Sequence, residues 1–391
     1  MTDPGHRDSL DPGEAVGVYV HWPYCARICP YCDFNVVRDR GRTQEQAGLV
    51  DAMIADLNAR TEQIGRRPLA SVFFGGGTPS LMPPEDVGRI LAAIHGAFTG
   101  PGPVEVTLEA NPTDAEAAHF SALADVGINR LSLGVQSLDD MALRFLGRNH
   151  DAAEARRAIA LAAQSYDRMS IDLIYARPDQ TVAAWTDELT TAVDLGFEHI
   201  SPYQLTLNAG TAFGRAQARG TLVPPDEDRA ADLYETTQEV LRRAGFEAYE
   251  VSNHARGVNA RSVHNLHVWR GGDYLGLGPG AHGRLTLDGH RTATVGHRAI
   301  RDYVAGVAAD MPWSEQIPMD ATEAAEEKIL LGLRTVEGVA WAMLQTLALT
   351  PDHGPLADLV DEGFLRLENG RVIATSRGRP VLDAVLGRLL T

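Results

Sequence analysis

Three cysteines, Cys25, Cys29 and Cys32, have the most distinctive chemistry in this sequence. They lie within eight residues of one another and are the only cysteines among 391 residues. An odd number of crowded cysteines cannot form a disulfide framework. Three thiolates at these separations can bind three corners of one [4Fe–4S] cluster, which usually takes four cysteine ligands. Because there is no fourth cysteine, one iron is left for an exogenous ligand, as an open position marks catalytic metal sites.

Zinc is the alternative interpretation of the three cysteines. Structural zinc normally takes four protein ligands, and His21 could complete a set of three cysteines and one histidine. The spacing is unusual for zinc, and we expect His21 at the end of a strand. The sequence therefore favours the iron–sulfur cluster and keeps zinc as the second hypothesis.

A glycine triplet ends a second apolar run, in Val72-Phe-Phe-Gly75-Gly-Gly-Thr-Pro79. Glycines at the end of a buried strand let a ligand approach the backbone and its N–H and C=O groups. By itself, however, such a triplet is more often a turn. Its meaning depends on the elements around it.

The elements that must position these residues alternate along the chain from Val16 to about residue 250. Short β-branched runs predict strands at 16–21, 71–74, 104–109, 130–135, 169–174 and 199–205. Amphipathic segments predict helices at 43–64, 84–98, 114–126, 151–165 and 181–195. These spacings are typical of βα units with a parallel sheet, and six units predict a partial (β/α)6 barrel. Functional residues are then expected at the C-terminal ends of the strands.

Local signals predict where several elements begin and end. Thr43, Asp114 and Asp151 are expected to cap helix N-termini, because their side-chain oxygens can accept hydrogen bonds from the first turn. In the last part of the chain, helical patterns precede Asn369-Gly370, a hairpin signal between two apolar runs. This order predicts an α+β, winged-helix-like module, and its excess of acidic residues argues against DNA binding.

We therefore predict four regions. These are a flexible N-terminus at 1–15, the partial barrel at 16–250, an extension that closes the site at 251–319, and the C-terminal winged-helix-like module at 320–391.

Composition and charge exclude several classes of protein. Hydrophobic residues make up 44% of the chain and charged residues 22%, which is typical of a globular protein with a large core. The net charge of −17 disfavours binding to nucleic acid and to anionic lipid, so we expect membrane contact only through a partner. No apolar stretch approaches the ~18 residues that span a bilayer. We see no signal peptide and expect a cytoplasmic protein.

The cysteine motif, with Tyr31 before the third cysteine, resembles the signature of radical S-adenosylmethionine (SAM) enzymes. In that family the open iron of the cluster binds the methionine part of SAM, and the reduced cluster cleaves SAM. The resemblance implies that SAM is bound by residues on successive strand ends, where carboxylates can bind ribose hydroxyls and a guanidinium can bind a carboxylate. The implied SAM residues are Tyr19, Tyr31, Phe34, Gly75, Gly76, Gly77, Thr78, Glu109, Gln136, Arg148 and Asp172.

Further segments resemble the coproporphyrinogen III oxidase-like branch of this family. They are Tyr19-Val-His-Trp-Pro-Tyr-Cys25, Gly134-Val-Gln136, Leu146-Gly-Arg-Asn-His150, Ile171-Asp-Leu-Ile-Tyr175 and Gly276-Leu-Gly278. Two functions occur in the branch. One is oxygen-independent coproporphyrinogen III oxidase, a radical oxidative decarboxylase. The other is the HemW-type haem chaperone, which binds haem and delivers it to respiratory haem proteins.

Three features favour the chaperone. The oxidases carry an extra cysteine where this chain has Phe34, and they have a longer N-terminal extension. The segment His264-Asn-Leu-His-Val-Trp269 resembles the chaperone motif His-Asn-x-x-Tyr-Trp, with Val268 in place of tyrosine. A second departure is Tyr175-Ala-Arg-Pro178, where relatives read Tyr-Gly-Leu-Pro. Activity as a coproporphyrinogen oxidase is therefore the alternative rather than the leading hypothesis.

Haem and an electron donor are the implied partners. Haem takes an axial His or Cys, and a histidine is favoured because the cysteines are occupied. Candidates are His254, His264, His267 and His282, with His264 first on the motif and His282 next. The resemblance also implies an electron donor such as flavodoxin or ferredoxin, and haem-accepting respiratory proteins.

Overall fold

The computed structural model describes residues 14–100, 102–352 and 354–390. The predicted flexible N-terminus therefore lies outside the described residues, apart from its last two positions. The strands are β1 Val16–Trp22, β2 Tyr24–Cys25, β3 Val37–Arg38, β4 Leu69–Gly76, β5 Glu105–Ala110, β6 Arg130–Gln136, β7 Met169–Tyr175, β8 His199–Gln204, β9 Glu247–Ala248, β10 His254–Ala255, β11 Asp273–Leu277, β12 His282–Leu287, β13 His290–Gly296, β14 Trp313–Pro318, β15 Val339–Ala340, β16 Leu365–Glu368 and β17 Arg371–Ala374.

Helices connect most of these strands. The α-helices are α1 Thr43–Ile64, α2 Pro84–Ala97, α3 Asp114–Ala117, α4 Phe120–Asp125, α5 Asp140–Phe145, α6 Ala152–Ala162, α7 Val182–Asp194, α8 Ala212–Ala218, α9 Glu227–Arg243, α10 Val263–Trp269, α11 Ile300–Ala308, α12 Ala321–Gly332, α13 Trp341–Gln345, α14 Pro355–Asp361 and α15 Leu382–Leu389. Among the described residues, no helix is long and apolar enough to cross a membrane.

The main sheet confirms the predicted parallel α/β architecture. Strands β1, β4, β5, β6, β7 and β8 are neighbours in that order and run parallel. Beyond residue 251, β10 pairs antiparallel with β8, and the strands that follow it extend the sheet on the other side of β1. There β11 pairs parallel with β1, and β12, β13 and β14 follow in antiparallel order. The sheet is therefore longer than six strands, because the extension contributes strands as well as loops.

Alternation along the strands separates a helix-covered face from a concave face. In β1, Val16, Val18 and Val20 are fully buried and belong to one core with residues of α1 such as Leu49 and Met53. Successive side chains of a strand point to opposite faces. The residues between those valines, including Tyr19, therefore face the concave side, where α10 packs against β4, β1 and β11.

The C-terminal module has its own core and its own sheet. Strands β15, β17 and β16 form a three-stranded antiparallel sheet, and α12, α14 and α15 cover it. The predicted hairpin is confirmed. Asn369 and Gly370 both have positive φ, at 50° and 73°, between β16 and β17. This conformation suits Asn and Gly, which tolerate the left-handed region better than other residues.

One of the three predicted helix caps is confirmed and two are wrong. Asp151 caps α6 in a reciprocal arrangement with Glu154. Helix α1 begins at Thr43, and no side chain caps it. Asp114 is already helical, while the preceding Thr113 is extended and accepts the N–H of Glu116. A threonine hydroxyl caps as an aspartate does, so type alone could not separate the two neighbours.

Candidate functional site

A short β-pairing and a turn position the three cysteines. Cys25 lies in β2, which pairs with β3, and its carbonyl accepts the N–H of Asp39 at 2.8 Å. Cys29 and Cys32 follow in a loop closed by a hydrogen bond from Cys32 N to Cys29 O at 3.2 Å. Helix α8 holds this loop, because Phe213 N donates to Pro30 O at 2.9 Å. The local sequence thus presents all three thiols at the C-terminal end of β1.

These thiols line a pocket of about 450 Å³ at the C-terminal ends of the parallel strands. The pocket brings together most of the residues that the resemblance implied for SAM. Those that line it are Tyr31, Phe34, Gly76, Gly77, Thr78, Glu109, Gln136, Arg148 and Asp172. We call it the cluster pocket.

Two predicted residues lie outside the cluster pocket. Tyr19 lines a neighbouring cavity on the concave side of the sheet. Gly75 lies beneath the pocket surface, where a Cβ would come within 3.0 Å of the Tyr19 and Phe73 rings. Both are on β1 or β4 directly behind the pocket wall. In this structure they contact the pocket's supporting side chains and do not line the pocket itself.

Arg148 connects the cysteine loop to the strand ends. Its Nη1 donates to Cys29 Sγ at 3.3 Å and to Tyr31 Oη at 3.4 Å. Its Nη2 donates to Gly134 O at 2.9 Å and to Asn111 Oδ1. A planar guanidinium can satisfy all of these acceptors at once, which an ammonium could not do in the same geometry. Arg148 therefore fixes the position of one thiol relative to β5 and β6.

Two half-buried carboxyl groups, Glu109 and Asp172, lie on the concave wall of the cluster pocket. Burial and, to a smaller extent, the nearby charge of Asp172 together raise the pKa of Glu109 to about 8. Burial also raises the pKa of Asp172 to about 6, although hydrogen bonds from Ser201 and Ser132 oppose that shift. Such carboxyl groups can accept hydrogen bonds from hydroxyl groups, or they can stabilise a cation that is bound in the pocket.

The backbone of the pocket is specialised at two strand ends. Gly76 has a φ of +105°, and a Cβ there would lie 2.6 Å from the His21 ring. At the end of β6, Gln136 has a φ of +66° after a shift in register with β7. A non-glycine residue in the left-handed region is uncommon and is found at functional sites more often than elsewhere. This bulged end directs Gln136 into the pocket.

The pocket residues that sequence reasoning missed include Asn111, Ser132 and Tyr203. Asn111 follows β5 and its Nδ2 also donates to Thr78 Oγ1 at 3.2 Å. Ser132 lies on β6 and Tyr203 lies on β8. Along its own strand, each is within two residues of a side chain that points to the concave face. A signal for Ser132 existed in the sequence, since it shares a strand face with Gln136.

The donor set of the cluster pocket fits the group that the cysteines imply. Burial raises the pKa of Cys25 to about 11 and raises that of Cys32 as well. Thiols ligate metal as thiolates, so a cationic iron centre is what would stabilise these sulfurs in ionised form. Glu109 and Asp172 line the same pocket and could accept hydrogen bonds from hydroxyl groups of SAM. Cys25, Cys29 and Cys32 could thus hold a [4Fe–4S] cluster next to SAM.

The zinc hypothesis requires His21 to face the three thiols, but the ring does not face them. Its Nδ1 is 3.0 Å from Tyr19 Oη, and its Nε2 is 2.9 Å from the carbonyl oxygen of Asn35. Both ring nitrogens therefore have partners on the concave side. Among the described residues, no group of three or more His, Cys, Asp or Glu converges to hold a single metal ion.

A second cavity, of about 490 Å³, adjoins the cluster pocket on the concave side. Asp33 and Phe34 line both spaces. Its walls come from β1, α10 and β11 to β14, and they include His264 and His282. We call it the concave cavity. Asn35 closes one side, because its Nδ2 donates to Pro279 O and Arg298 O, each at 2.9 Å.

The four candidate histidines have different surroundings. His264 is 6% exposed, stacks on Phe73 and has Nδ1 2.9 Å from Ser71 Oγ. His282 is exposed at the start of β12. His267 is buried, and its Nε2 is 2.7 Å from Asp273 O. His254 lies in a different part of the fold, beside α9. The structure thus brings His264 and His282 to one cavity and places the other two elsewhere.

Comparisons with known proteins agree with this architecture. The sequence model of the radical SAM superfamily matches residues 19–190, and that of the HemN C-terminal domain matches residues 319–381. A bovine (Bos taurus) protein named radical S-adenosyl methionine domain-containing protein 1, mitochondrial, is 37% identical over 100% of this chain and 90% of its own. A Mycobacterium tuberculosis protein named heme chaperone HemW is 35% identical over 97% of this chain and 96% of its own.

One further relative matches a part of this chain, and one solved structure is similar in fold. A Haemophilus influenzae protein named heme chaperone HemW is 40% identical over 70% of this chain and 71% of its own. The solved structure of coproporphyrinogen III oxidase from Escherichia coli superposes with a TM-score of 0.80, covering 100% of this chain and 94% of that one. The two share 19% sequence identity, so this similarity concerns the fold alone.

Proposed function

Since the chain belongs to the radical SAM superfamily as a HemW-type member, we propose that it is a haem chaperone. It binds haem and passes it to haem proteins. The concave cavity is the observation that carries this proposal. It adjoins the cluster pocket and has histidines on two of its walls.

The size and lining of the concave cavity support haem as its ligand. Its volume of about 490 Å³ is within the range of pockets for large cofactors. Burial lowers the pKa of His264 to about 3, and partial desolvation of the His282 ring lowers its pKa as well. Both rings are therefore neutral near pH 7, which is the form that binds iron. The exposed guanidinium of Arg298 lines the same cavity and can bind a propionate.

His282 and His264 are not equally suited to be the axial ligand of the haem iron. His264 is packed between Phe73 and Ser71, so iron could reach only its Nε2 edge. His282 is exposed, and no other described side chain accepts or donates to its ring. We propose His282 as the ligand that captures haem and His264 as the second ligand or as a wall of the site.

The cluster pocket supplies the second part of the proposed activity. Cys25, Cys29 and Cys32 hold the cluster, while Glu109, Asp172 and Gln136 orient SAM. A bound cluster supplies an open iron for SAM and an electron. Phe34 lies on the wall between the cluster pocket and the concave cavity. Its side chain is 61% exposed, so by itself it does not exclude water from either space. SAM bound beside this wall would contact the haem site.

Partners follow from the surface around the cysteine loop. Arg27, Arg38 and Arg40 are exposed there, although the chain as a whole carries a net charge of −17. A local positive surface steers an acidic partner toward the cluster. We propose an electron donor of the flavodoxin or ferredoxin type at this surface. Respiratory haem proteins are the proposed acceptors, and the cytoplasm is the proposed location.

Coproporphyrinogen III oxidase activity is not favoured by these observations. The similarity to the Escherichia coli enzyme rests on fold, and Phe34 occupies the position at which those enzymes carry an additional cysteine. A phenyl ring can neither ligate iron nor donate a thiol hydrogen. We therefore expect no oxidative decarboxylation of coproporphyrinogen III.

The deciding experiment uses the full chain, reconstituted anaerobically with iron and sulfide. Haem is titrated into it, and the haem-loaded protein is mixed with an apo-haem protein while transfer is followed by absorbance. We expect about one haem per chain, transfer to the acceptor, and no protoporphyrinogen from coproporphyrinogen III with SAM and a reductant. Multiple turnovers of decarboxylation, or no haem binding, would overturn the proposal.

A further inference from the structure

A strained piece of backbone at the end of β6 carries Gln136 into the cluster pocket. Its φ of +66° lies in the left-handed region, and Ser137 N donates to Val135 O across it at 2.8 Å. A three-residue turn of this kind with positive φ is rare and strained. Such a conformation persists only where the surrounding structure restrains it. We call residues 134–138 the β6 bulge, and the groups that restrain it determine where Gln136 lies.

Two restraints act on the part of the β6 bulge that precedes Gln136. Arg148 Nη2 donates to Gly134 O at 2.9 Å. His150 Nε2 is 3.1 Å from Val135 O, and burial lowers the pKa of this histidine to about 4, so the ring is neutral near pH 7. Both contacts hold carbonyl groups before Gln136. The residues after it need a different partner.

Glu188 of α7 is the partner of the residues that follow Gln136. Its Oε1 accepts a hydrogen bond from Leu138 N at 2.9 Å and another from the hydroxyl of Ser137. Ser137 Oγ in turn accepts Asp139 N at 3.1 Å. A single carboxylate oxygen therefore holds the two residues directly after Gln136.

A carboxylate is unusual at the position that Glu188 occupies in its helix. Trp185, Leu189 and Ala192 form the buried face of α7, with the spacing of one helix side. Glu188 lies on the same face and is 8% exposed. A buried carboxylate is costly unless it is both paired and hydrogen-bonded. The packing of α7 alone would favour an apolar residue here.

Arg177 supplies the opposite charge. Its Nη2 donates to Glu188 Oε2 at 2.7 Å, and its Nη1 donates to Ile174 O, also at 2.7 Å. Ile174 lies near the end of β7 and lines the cluster pocket, whereas neither Arg177 nor Glu188 lines it. The ion pair therefore connects the end of β7 to the β6 bulge from behind the pocket.

We propose that Glu188 and Arg177 are positioning residues for SAM. Glu188 Oε1 holds the β6 bulge so that the Gln136 side chain points into the cluster pocket, and Arg177 balances the charge of the carboxylate and fixes its orientation. Neither residue touches the ligand. The consequence for SAM rests on the proposed function, whereas the restraint on the bulge does not.

The test compares two double variants of the full chain that differ only at position 188. They are Arg177→Leu with Glu188→Gln, and Arg177→Leu with Glu188→Met. Both remove the ion pair completely, so neither leaves a lone buried charge. Glutamine keeps an acceptor oxygen for Leu138 N, and methionine, of nearly the same length, does not. The control is Thr190→Ala, on the exposed face of α7.

Hydrogen exchange followed by mass spectrometry measures the restraint itself, in the chain without SAM. The peptide that contains residues 136–139 should exchange at least ~5-fold faster in the Glu188→Met variant than in the Glu188→Gln variant, because Leu138 N has lost its acceptor. Thr190→Ala should exchange as the unaltered chain does. Equal exchange in the two double variants would overturn the proposal.

Equilibrium dialysis with SAM, after anaerobic reconstitution, measures the consequence for the ligand. We expect the Glu188→Met variant to bind SAM roughly 10-fold more weakly than the Glu188→Gln variant, at equal iron and sulfide content. Adding Gln136→Ala should weaken SAM binding in the Glu188→Gln variant and have little further effect in the Glu188→Met variant, because both changes remove the same contact. Additive effects would show that Glu188 acts on stability alone and would overturn its positioning role.

The two measurements separate this proposal from the proposed function. If the unaltered, reconstituted chain binds no SAM, the SAM part of both is overturned, and hydrogen exchange still decides whether Glu188 restrains the bulge. If the Glu188→Met variant does not fold, Ser137→Ala replaces it, since it removes one of the two contacts to Glu188 Oε1. Ser137→Ala should weaken SAM binding about 3-fold and speed the exchange of residues 136–139. Unchanged affinity and exchange in that variant would contradict the proposal.

Discussion

Glu109 and Asp172 line the same pocket, and the charge of Asp172 adds to partial burial in raising the pKa of Glu109 to about 8. Their ordinary values are 4.5 and 3.8, and burial raises that of Asp172 to about 6. In the folded chain without ligands, these two carboxyl groups therefore bind more protons than they do in the unfolded chain between about pH 4 and pH 8. The part of the free energy of unfolding that comes from this pair must fall as the pH rises through that window, whereas buried histidines with lowered pKa values, such as His254 and His264, contribute in the opposite direction.

We predict that Glu109→Gln removes part of this pH dependence. The difference in the free energy of unfolding between Glu109→Gln and the unaltered apo-protein should shift in favour of Glu109→Gln as the pH rises from 5 to 8. Urea unfolding followed by circular dichroism at several pH values measures the effect. The exposed Glu62→Gln serves as the control and should keep the slope of the unaltered chain. An unchanged slope in Glu109→Gln would contradict the assignment of the shift to this pair.

Replacing any of Cys25, Cys29 and Cys32 by alanine should prevent the chain from holding a cluster. Two thiols cannot occupy three corners, and the sequence has no cysteine to substitute. Iron and sulfide content and visible absorbance after anaerobic reconstitution measure the loss. Stoichiometric zinc in the unaltered protein, with no cluster absorbance after reconstitution, would support the zinc hypothesis instead.

Arg148→Gln should lower the reduction potential of the cluster without abolishing cluster binding. The guanidinium donates to Cys29 Sγ, and hydrogen bonds and positive charge near cluster sulfurs favour the reduced state. We expect a shift on the order of tens of millivolts in an anaerobic redox titration followed by electron paramagnetic resonance. Arg144→Gln, an exposed change on α5, should leave the potential where it is. A potential that does not move in Arg148→Gln would exclude this role for Arg148.

Haem binding should separate the two histidines of the concave cavity. His282→Ala should weaken haem binding by roughly tenfold or more, because it removes an accessible axial ligand. His264→Ala should weaken it less, but it should also reduce stability by opening space beside Phe73. Haem titration and thermal unfolding measure the two effects, with the exposed His290→Ala as control. The reverse order of haem affinities would assign the ligand to His264.

Two glycine substitutions should change stability in opposite directions. Gly370 has a φ of +73°, so Gly370→Ala should destabilise the C-terminal hairpin by about 1 kcal/mol. Gly48 lies inside α1 with open space at its Cβ position, so Gly48→Ala should stabilise the chain by about 0.5–1 kcal/mol. Thermal unfolding compares both variants with the unaltered chain. Equal signs for the two changes would contradict the hairpin geometry.

The sequence predicted the barrel more fully than the extension. Strands such as β6 and β7 were visible because runs of β-branched and apolar residues end at glycine or polar positions. The segment 114–126 was predicted as one helix, yet it forms α3 and α4 with His119 between them. The strands β11 to β14 were missed, because short strands that pair with distant chain segments carry little local signal.

The sequence by itself determined the parallel α/β class and the hairpin of the last module, and it predicted the metal chemistry. These depend on residue type and local spacing, as with the three cysteines and with Asn369-Gly370. Only the tertiary structure decided which residues meet. It brought His264 and His282 to one cavity from segments that sequence spacing does not relate, and it turned His21 away from the thiols. The physical reason is that burial and partner choice arise from long-range packing, which no local pattern encodes.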